Sequence, residues 1–170
     1  MAAPPSETRT GVVIRRAGPD DAAGIWRIYN EGIEDRLATF ASGRATLAEV
    51  EAWFREQRFS ALVAEIYRQA VGWTSLGPYR DGPAFDGIAE LAVYVDRTWR
   101  RHAVGHLLVE AALAEARERG LYKVLGYLLE QNLSSLKLVQ KLGFRVVGLH
   151  HRHGPARERA SNVVVVEKLL

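Results

Sequence analysis

The sequence predicts one mixed α/β domain, with a twisted central sheet of about seven strands and about four flanking helices. Segments with strand-like apolar patterning alternate with segments of helical periodicity, in the order β-α-α-β-β-β-α-β-α-β-β. The length of 170 residues, with 48% apolar and 25% charged residues, suits a globular domain with a sizeable core. We expect residues 1–10 to form a disordered tail and residues 11–170 to form the domain.

The first half of the predicted domain holds two helices between strands. Residues 12–17 (VVIRRA) are typical of a strand, and Pro19 then begins a helix. A loop over residues 34–45 precedes Thr46, which forms a T-x-x-E capping box with Glu49 at the start of a second helix. The next predicted elements are a hairpin of strands 59–66 and 71–77, a Gly/Pro-rich loop 78–87 and strand 88–95.

The second half alternates the two element types. Residues 104–119 have helical spacing, with Gly120 as the stop signal. The remaining predicted elements are strand 122–129, a short helix 132–142 ended by Gly143, and strands 144–151 and 162–170.

Composition excludes several classes of function. The net charge of +3 is too small to indicate a nucleic-acid partner. The chain has no cysteine, so it has no disulfide, thiolate nucleophile or cysteine zinc site, and this composition is compatible with a reducing cytoplasm. No apolar run approaches 20 residues. We expect a cytoplasmic protein that binds neither nucleic acid nor membranes.

The segment WRRHAVGHL (99–107) lies between a predicted strand and a predicted helix. His102 and His106 have the i, i+4 spacing of a metal pair, but the Glu that follows the first His in zinc metalloproteases is Ala103 here. Two arginines beside a helix N-terminus also suit an anion such as a pyrophosphate, with Gly105 admitting the ligand to the backbone. The arginines could instead simply begin a solvated helix.

Glu90 is the candidate general base. Strand alternation places Glu90, Ala92 and Tyr94 on one face of a predicted central strand. A desolvated carboxylate there would have a raised pKa and could accept a proton. The alternative is a solvated Glu at the edge of the sheet.

Other polar residues allow both structural and functional interpretations. Asn132 could cap the short helix that follows it. The run LHHRHG contains His150, His151 and His153, which we interpret as a solvated strand end or as one lip of a substrate pocket. No third convergent ligand indicates a metal site, so we expect no bound metal.

These motifs together resemble the GNAT superfamily of acyl-CoA-dependent N-acetyltransferases. The R/Q-x-x-G-x-G/A signature corresponds to residues 100–105, and an N-x-x-S pattern begins at Asn132 before Leu142-Gly143-Phe144. A closer resemblance is to the phosphinothricin acetyltransferase branch, including arsinothricin-resistance enzymes. It covers nearly the whole chain from Val12 onward and includes GWTSLGPYR, AELAVYV and HRHG.

The resemblance implies a GNAT fold, acetyl-CoA as co-substrate, a homodimer and roles for individual residues. It makes Glu90 the catalytic base, and it places Thr39, Phe40 and Arg80 at the acceptor amino acid. Residues implied to bind acetyl-CoA are Val93, Tyr94, Val95, Arg100, Arg101, His102, Ala103, Val104, Gly105, His106 and Asn132.

Two positions depart from the family pattern. Ala103 stands where the signature has Gly, and Val139 stands where many relatives carry a Tyr or His that protonates the leaving thiolate. Tyr127, a water molecule or unassisted departure would have to replace that group. The implied reaction is direct acetyl transfer to a small amino-acid-like amine; the alternatives are a protein or peptide N-terminal acetyltransferase and a catalytically silent acyl-CoA-binding domain.

Overall fold

One twisted sheet organises the molecule. The computed structural model describes residues 6–7, 11–36, 41, 43–56, 59–154 and 161–170. The strands are β1 Ser6–Glu7, β2 Val13–Arg16, β3 Ser60–Ile66, β4 Gln69–Pro78, β5 Ile88–Val95, β6 Lys123–Leu129, β7 Arg145–His150 and β8 Val163–Leu169. The α-helices in these residues are α1 Ala22–Asp35, α2 Leu47–Arg55, α3 Val104–Glu118 and α4 Leu133–Lys141. The predicted mixed fold with seven strands and four helices is confirmed.

The eighth strand is the two-residue β1, which pairs antiparallel with β2. It lies inside residues 1–10, for which we predicted a disordered tail; the other residues of that segment lie outside the described ones. Ser6 and Glu7 pair with Ile14 and Val13 at the sheet edge, although their composition carries no strand signal; the disordered tail remains a prediction.

The strand order is β1-β2-β3-β4-β5-β6-β8-β7. β5 and β6 run parallel, while the other neighbours are antiparallel. The β3–β4 turn consists of Tyr67 and Arg68 alone, both at positive φ (48° and 63°), whereas we expected a longer turn. This conformation suits a two-residue hairpin, because its twist matches that of the flanking strands.

Helices cover both faces of the sheet. α1 and α2 pack on one face, where Ile25, Ile28 and Val50 meet Val63 and Trp73. On the other face, α3 buries an apolar stripe against the sheet, with Val109, Ala112, Leu113 and Ala116 in the largest core cluster. The predicted capping box of α2 is present, since Thr46 Oγ1 accepts from the Glu49 amide at 3.3 Å and Glu49 Oε2 accepts from the Thr46 amide at 2.6 Å. No helix within the described ranges combines the length and apolar character that crossing a membrane would require.

Candidate functional site

A cleft opens where β5 and β6 diverge. β5 pairs with β4 as far as Val95, which lies opposite Gly72. Its ladder with β6 covers only Ile88–Glu90, opposite Lys123–Leu125. The second half of β5 therefore lies beside a gap in the sheet, where an extended ligand could pair with backbone groups as an added strand would. Val93, Tyr94 and Val95, implied to bind the co-substrate, lie along this part of the strand.

The chain between β5 and α3 forms a tight loop ending at the N-terminus of α3. Arg101 and Ala103 both have left-handed backbone conformations, with φ of 67° and 63°. The helical ladder starts with the Leu107 amide, which donates to the Ala103 carbonyl at 3.1 Å. In an α-helix the preceding amides, here those of Val104, Gly105 and His106, point out of the N-terminal end, where they attract an anion. The structure thus places at residues 100–106 a helix N-terminus whose partial positive charge suits an anion.

Arg100 points its side chain away from that terminus. One guanidinium nitrogen lies 2.6 Å from Asp35 Oδ2 on α1, and Nε donates to the Val95 carbonyl at 3.1 Å. The guanidinium is therefore already occupied by protein groups. Its predicted contact with the co-substrate remains a prediction, and the neighbouring Arg101 is also exposed.

Gly105 has a packing role. A Cβ placed on this residue would lie 3.1 Å from Leu138 Cδ2 and 3.5 Å from Val95 Cγ2. The absent side chain would therefore point into the contact between α3, α4 and β5. We explained this glycine from the sequence as room for a ligand; the packing adds a second physical reason, and the ligand contact remains a prediction.

Glu90 stands at the vertex of the cleft, on the sheet face that carries α1 and α2. Its strand neighbours are Gly77 on β4 and Leu125 on β6. The carboxylate remains accessible to solvent, but the surrounding protein removes part of its hydration and raises its pKa above the ordinary value. Glu90 is therefore on a central strand and not at the sheet edge, although it is exposed to solvent as the alternative interpretation expected.

Tyr127 lies on the same face as Glu90, since it follows Leu125 by two residues on β6. Burial, a hydrogen bond with Tyr79 and the nearby negative charge of Glu90 raise the pKa of Tyr127, with Arg80 opposing. Tyr127 is therefore a protonated phenol at neutral pH. Sequence reasoning named Tyr127 as one possible proton donor and missed Tyr79, whose loop position carries no periodic signal.

A groove of about 760 Å³ opens at the end of the sheet beside Glu90. Gly77 and Ile88, its nearest neighbours on the same sheet face, line this groove. The Arg80 guanidinium also lines it and lies 5.0 Å from the centre of the Tyr79 ring. The groove is therefore lined by residues next to the candidate base, and it contains the exposed cation of Arg80, although Glu90 itself does not line it. Thr39 and Phe40, the other implied acceptor residues, lie outside the described residues.

Asn132 caps α4, because its Oδ1 accepts from the Ser135 amide at 3.2 Å. The capping role does not test the predicted contact of Asn132 with the co-substrate, which stays a prediction. Val139, on the same helix, is buried in the core with 3% exposure. No proton donor therefore occupies that position, which leaves Tyr127, a water molecule or unassisted departure of the thiolate.

The histidines do not form a metal site. His102 Nδ1 lies 2.8 Å from the Arg100 carbonyl oxygen, whereas His106 Nε2 lies 3.4 Å from Glu110. His150 and His153 contact each other edge to face, with ring centres 4.7 Å apart. Over the part of the chain that the structure describes, no three His, Asp or Glu side chains converge as metal ligands.

Comparison with known proteins adds independent findings. The sequence profile of the acetyltransferase (GNAT) family matches residues 25–144. An L-methionine sulfoximine/L-methionine sulfone acetyltransferase of Pseudomonas paraeruginosa is 32% identical over 139 residues, which is 79% of this chain and 81% of that protein. A phosphinothricin N-acetyltransferase of Streptomyces viridochromogenes is 30% identical over 148 residues, 84% of this chain and 79% of that protein.

Solved structures share the fold. The crystal structure of a ribosomal-protein-alanine N-acetyltransferase from Brucella melitensis superposes with a TM-score of 0.88 at 30% identity. The match covers 92% of this chain and 99% of that one. The agreement in fold therefore extends over nearly the whole chain.

Proposed function

The chain belongs to the GNAT acetyltransferase family and is an acetyl-CoA-dependent N-acetyltransferase, and we propose that its acceptor is the amine of a small amino-acid-like compound. The names of the two relatives support this acceptor class, with methionine sulfoximine and phosphinothricin as the first candidates. The observation that carries the proposal is the position of Glu90, at the vertex of the β5–β6 cleft and next to the groove.

Acetyl-CoA would occupy the cleft. The amides of residues 101–106 would hold its pyrophosphate at the N-terminus of α3, and backbone groups of Val93, Tyr94 and Val95 would pair with the pantetheine. Bound in this way, the co-substrate supplies a thioester carbonyl for attack by the acceptor amine. A backbone N–H of β5, such as that of Val93, would stabilise the negative charge on the carbonyl oxygen.

Glu90 would act as general base. An alkyl ammonium has a pKa of roughly 8 to 10, so the acceptor must lose a proton before it can attack. The raised pKa of Glu90 brings the carboxylate closer to the ideal for a general base near neutral pH. We assign this proton transfer to Glu90 through a water molecule.

Tyr127 would act as general acid. Its phenol is protonated at neutral pH and shares the sheet face with Glu90, while Val139 cannot donate a proton. In the proposed step the phenol proton passes to the thiolate sulfur as the carbon–sulfur bond breaks. The hydrogen bond with Tyr79 would orient Tyr127 for this transfer.

The acceptor would enter through the groove and pair its carboxylate, or an equivalent acid group, with Arg80. By the family resemblance, Thr39 and Phe40 would also contact it. The groove is wider than a single amino acid needs, and the Brucella melitensis neighbour is named for an alanine N-terminus. A peptide N-terminus is therefore the second candidate acceptor.

We also propose that the enzyme works as a homodimer in the cytoplasm. The outer strand β7 supports the dimer, because Val146, Val147 and Leu149 expose 47%, 43% and 38% of their surfaces there. Apolar side chains on an unpaired edge strand favour association with another chain. Analytical ultracentrifugation should show a dimer, and Val147→Glu should shift it to monomers.

The acceptor is tested by following CoA release from acetyl-CoA with a panel of amines. The panel contains methionine sulfoximine, phosphinothricin, glutamate and a peptide with N-terminal alanine. We expect the highest kcat/KM with one of the first two. A preference for the peptide would replace the proposed acceptor class with the second candidate, and binding of acetyl-CoA without CoA release from any amine would indicate a silent binding domain.

Variants separate the proposed roles. Glu90→Gln should lower kcat by about 10²-fold or more, as loss of a general base does, with acetyl-CoA affinity unchanged. Tyr127→Phe should lower kcat and remove the basic limb of the pH dependence of kcat. Tyr122 is an exposed tyrosine just before β6, so Tyr122→Phe is the matched control. Full activity of Tyr127→Phe would assign the proton to water.

A further inference from the structure

The C-terminal end of α1 binds the loop before α3 through ion pairs and hydrogen bonds. Arg97 Nε donates to Asp35 Oδ1 at 2.9 Å, and its terminal nitrogen donates to Glu34 Oε2 at 3.0 Å. The Arg97 backbone amide donates to Glu31 Oε2 at 3.1 Å. One arginine of the loop is thus held by three acidic residues, Glu31, Glu34 and Asp35, near the C-terminal end of the same helix.

Asp35 joins this loop to the strand that lines the cleft. Its Oδ1 binds Arg97, and its Oδ2 lies 2.6 Å from Arg100, whose Nε in turn donates to the Val95 carbonyl at 3.1 Å. Burial opposes the charge on Asp35, but the two arginines outweigh it and lower its pKa, so the carboxylate is ionised at neutral pH. The ion pairs of Asp35 with the two arginines therefore persist at neutral pH.

The start of the loop is held in the same manner. Asp96 Oδ1 accepts from the Thr98 amide at 2.8 Å and from its hydroxyl at 2.6 Å. The other carboxylate oxygen of Asp96 binds Arg27 of α1, which also donates to the Ala70 carbonyl at 3.0 Å. Residues 96–100 are therefore tied to α1 at both ends.

The loop needs such support because of its backbone. Arg101 and Ala103 adopt left-handed conformations that residues with a Cβ disfavour. Left unsupported, residues 101–103 would relax toward common conformations, and the amides at the start of α3 would lose their alignment. We infer that Asp35, with Glu34, is a positioning residue that holds the pyrophosphate loop in its binding shape through Arg97 and Arg100. This inference rests on the proposed placement of acetyl-CoA.

Loop support and simple electrostatics predict opposite effects of Asp35→Asn on CoA affinity. Asp35→Asn removes a negative charge near the proposed site of an anionic ligand and frees two arginines, so through-space attraction alone would tighten CoA binding. If Asp35 instead shapes the loop, the same change should weaken binding. Loss of one charged hydrogen-bond partner leads us to expect about tenfold weaker binding.

The experiment measures CoA affinity by calorimetry and steady-state kinetics on the full chain. Asp35→Asn should raise the CoA Kd and the KM for acetyl-CoA about tenfold, with kcat at saturation within about twofold. Glu65→Gln is the matched control, because Glu65 pairs with Arg15 at 2.7 Å on β3, away from the loop. It should leave both constants unchanged.

Unchanged or tighter CoA binding by Asp35→Asn would overturn the inference. Glu34→Gln removes a more exposed partner of Arg97 and should give a smaller effect of the same sign, which keeps the test available if Asp35→Asn does not fold. Failure of the wild-type protein to bind CoA would instead refute the proposed placement of acetyl-CoA.

Discussion

Ala103 provides a quantitative test of the loop geometry. This residue is the N-cap of α3 and has φ of 63° and ψ of 0°, in the left-handed region. The family signature places Gly there, and glycine adopts this conformation without a steric penalty. Ala103→Gly should therefore stabilise the fold.

The magnitude follows from two opposing contributions. A left-handed conformation costs a residue with a Cβ about 1–2 kcal/mol. Glycine makes the unfolded chain more flexible, which costs about 0.4–1 kcal/mol of stability. The difference is a net stabilisation of about 1 kcal/mol. For a domain of this size it corresponds to a rise in Tm of about 3 °C.

The assay is thermal and guanidinium unfolding of the wild type and two variants. Gly120→Ala is the mirror control, because Gly120 has φ of 74° and a Cβ there would meet open space. It should lower the free energy of unfolding by about 1 kcal/mol through the same two contributions. CoA affinity should be retained in Ala103→Gly, since the amide at that position is kept.

The reasoning would be refuted if Ala103→Gly left the Tm unchanged or lowered it while Gly120→Ala behaved as expected. That result would mean that Ala103 does not occupy the left-handed region, and the loop geometry that places the α3 amides would need revision.

Three further predictions concern other parts of the molecule. Because the fold raises the pKa of Glu90, folding favours the protonated carboxyl, and the stability that this group contributes is present at low pH and is lost as pH rises through the raised pKa. Glu90→Gln should therefore be more stable than wild type at pH 7 in guanidinium unfolding. The difference in stability should vanish below about pH 4. Replacing Tyr67 with Asn and Arg68 with Gly, which suit positive φ, should raise the free energy of unfolding by about 1 kcal/mol or more; an unchanged midpoint would contradict the turn geometry. Asn132→Ala should lower the free energy of unfolding by about 1 kcal/mol through loss of the α4 cap. Asn132→Ser should keep the cap, and an unchanged KM for acetyl-CoA in this stable variant would argue against contact of Asn132 with the co-substrate.

Local sequence signals predicted the elements that carry the site. The apolar run of β5 was predicted at residues 88–95, as the structure has it, and the start of α3 was predicted at Val104. The capping box at Thr46 and the cap at Asn132 were also readable, because each depends on residues within one helical turn. The alternation of β5 placed Glu90 on the face opposite Leu91, which is buried against α3.

Long-range contacts were not readable in this way. The order of the strands places β8 between β6 and β7, and it makes β5 and β6 the parallel pair whose ladder stops at Glu90. The contact of Tyr127 with Tyr79 joins residues far apart in the chain, and so does the pairing of Arg100 with Asp35. From the sequence we predicted that Arg100 contacts an anionic ligand, because the sequence does not show that α1 ends beside Arg100.

The sequence by itself determined the fold class, the family, the candidate base and the helix terminus suited to an anion, because periodicity, caps and motif spacing are properties of short segments. Only the tertiary structure decided that Glu90 stands at the vertex of a cleft, that Tyr127 is the phenol beside it, and that Ala103 is left-handed within a loop held by α1. These features depend on how separate segments meet, and that is set by the packing of the whole chain.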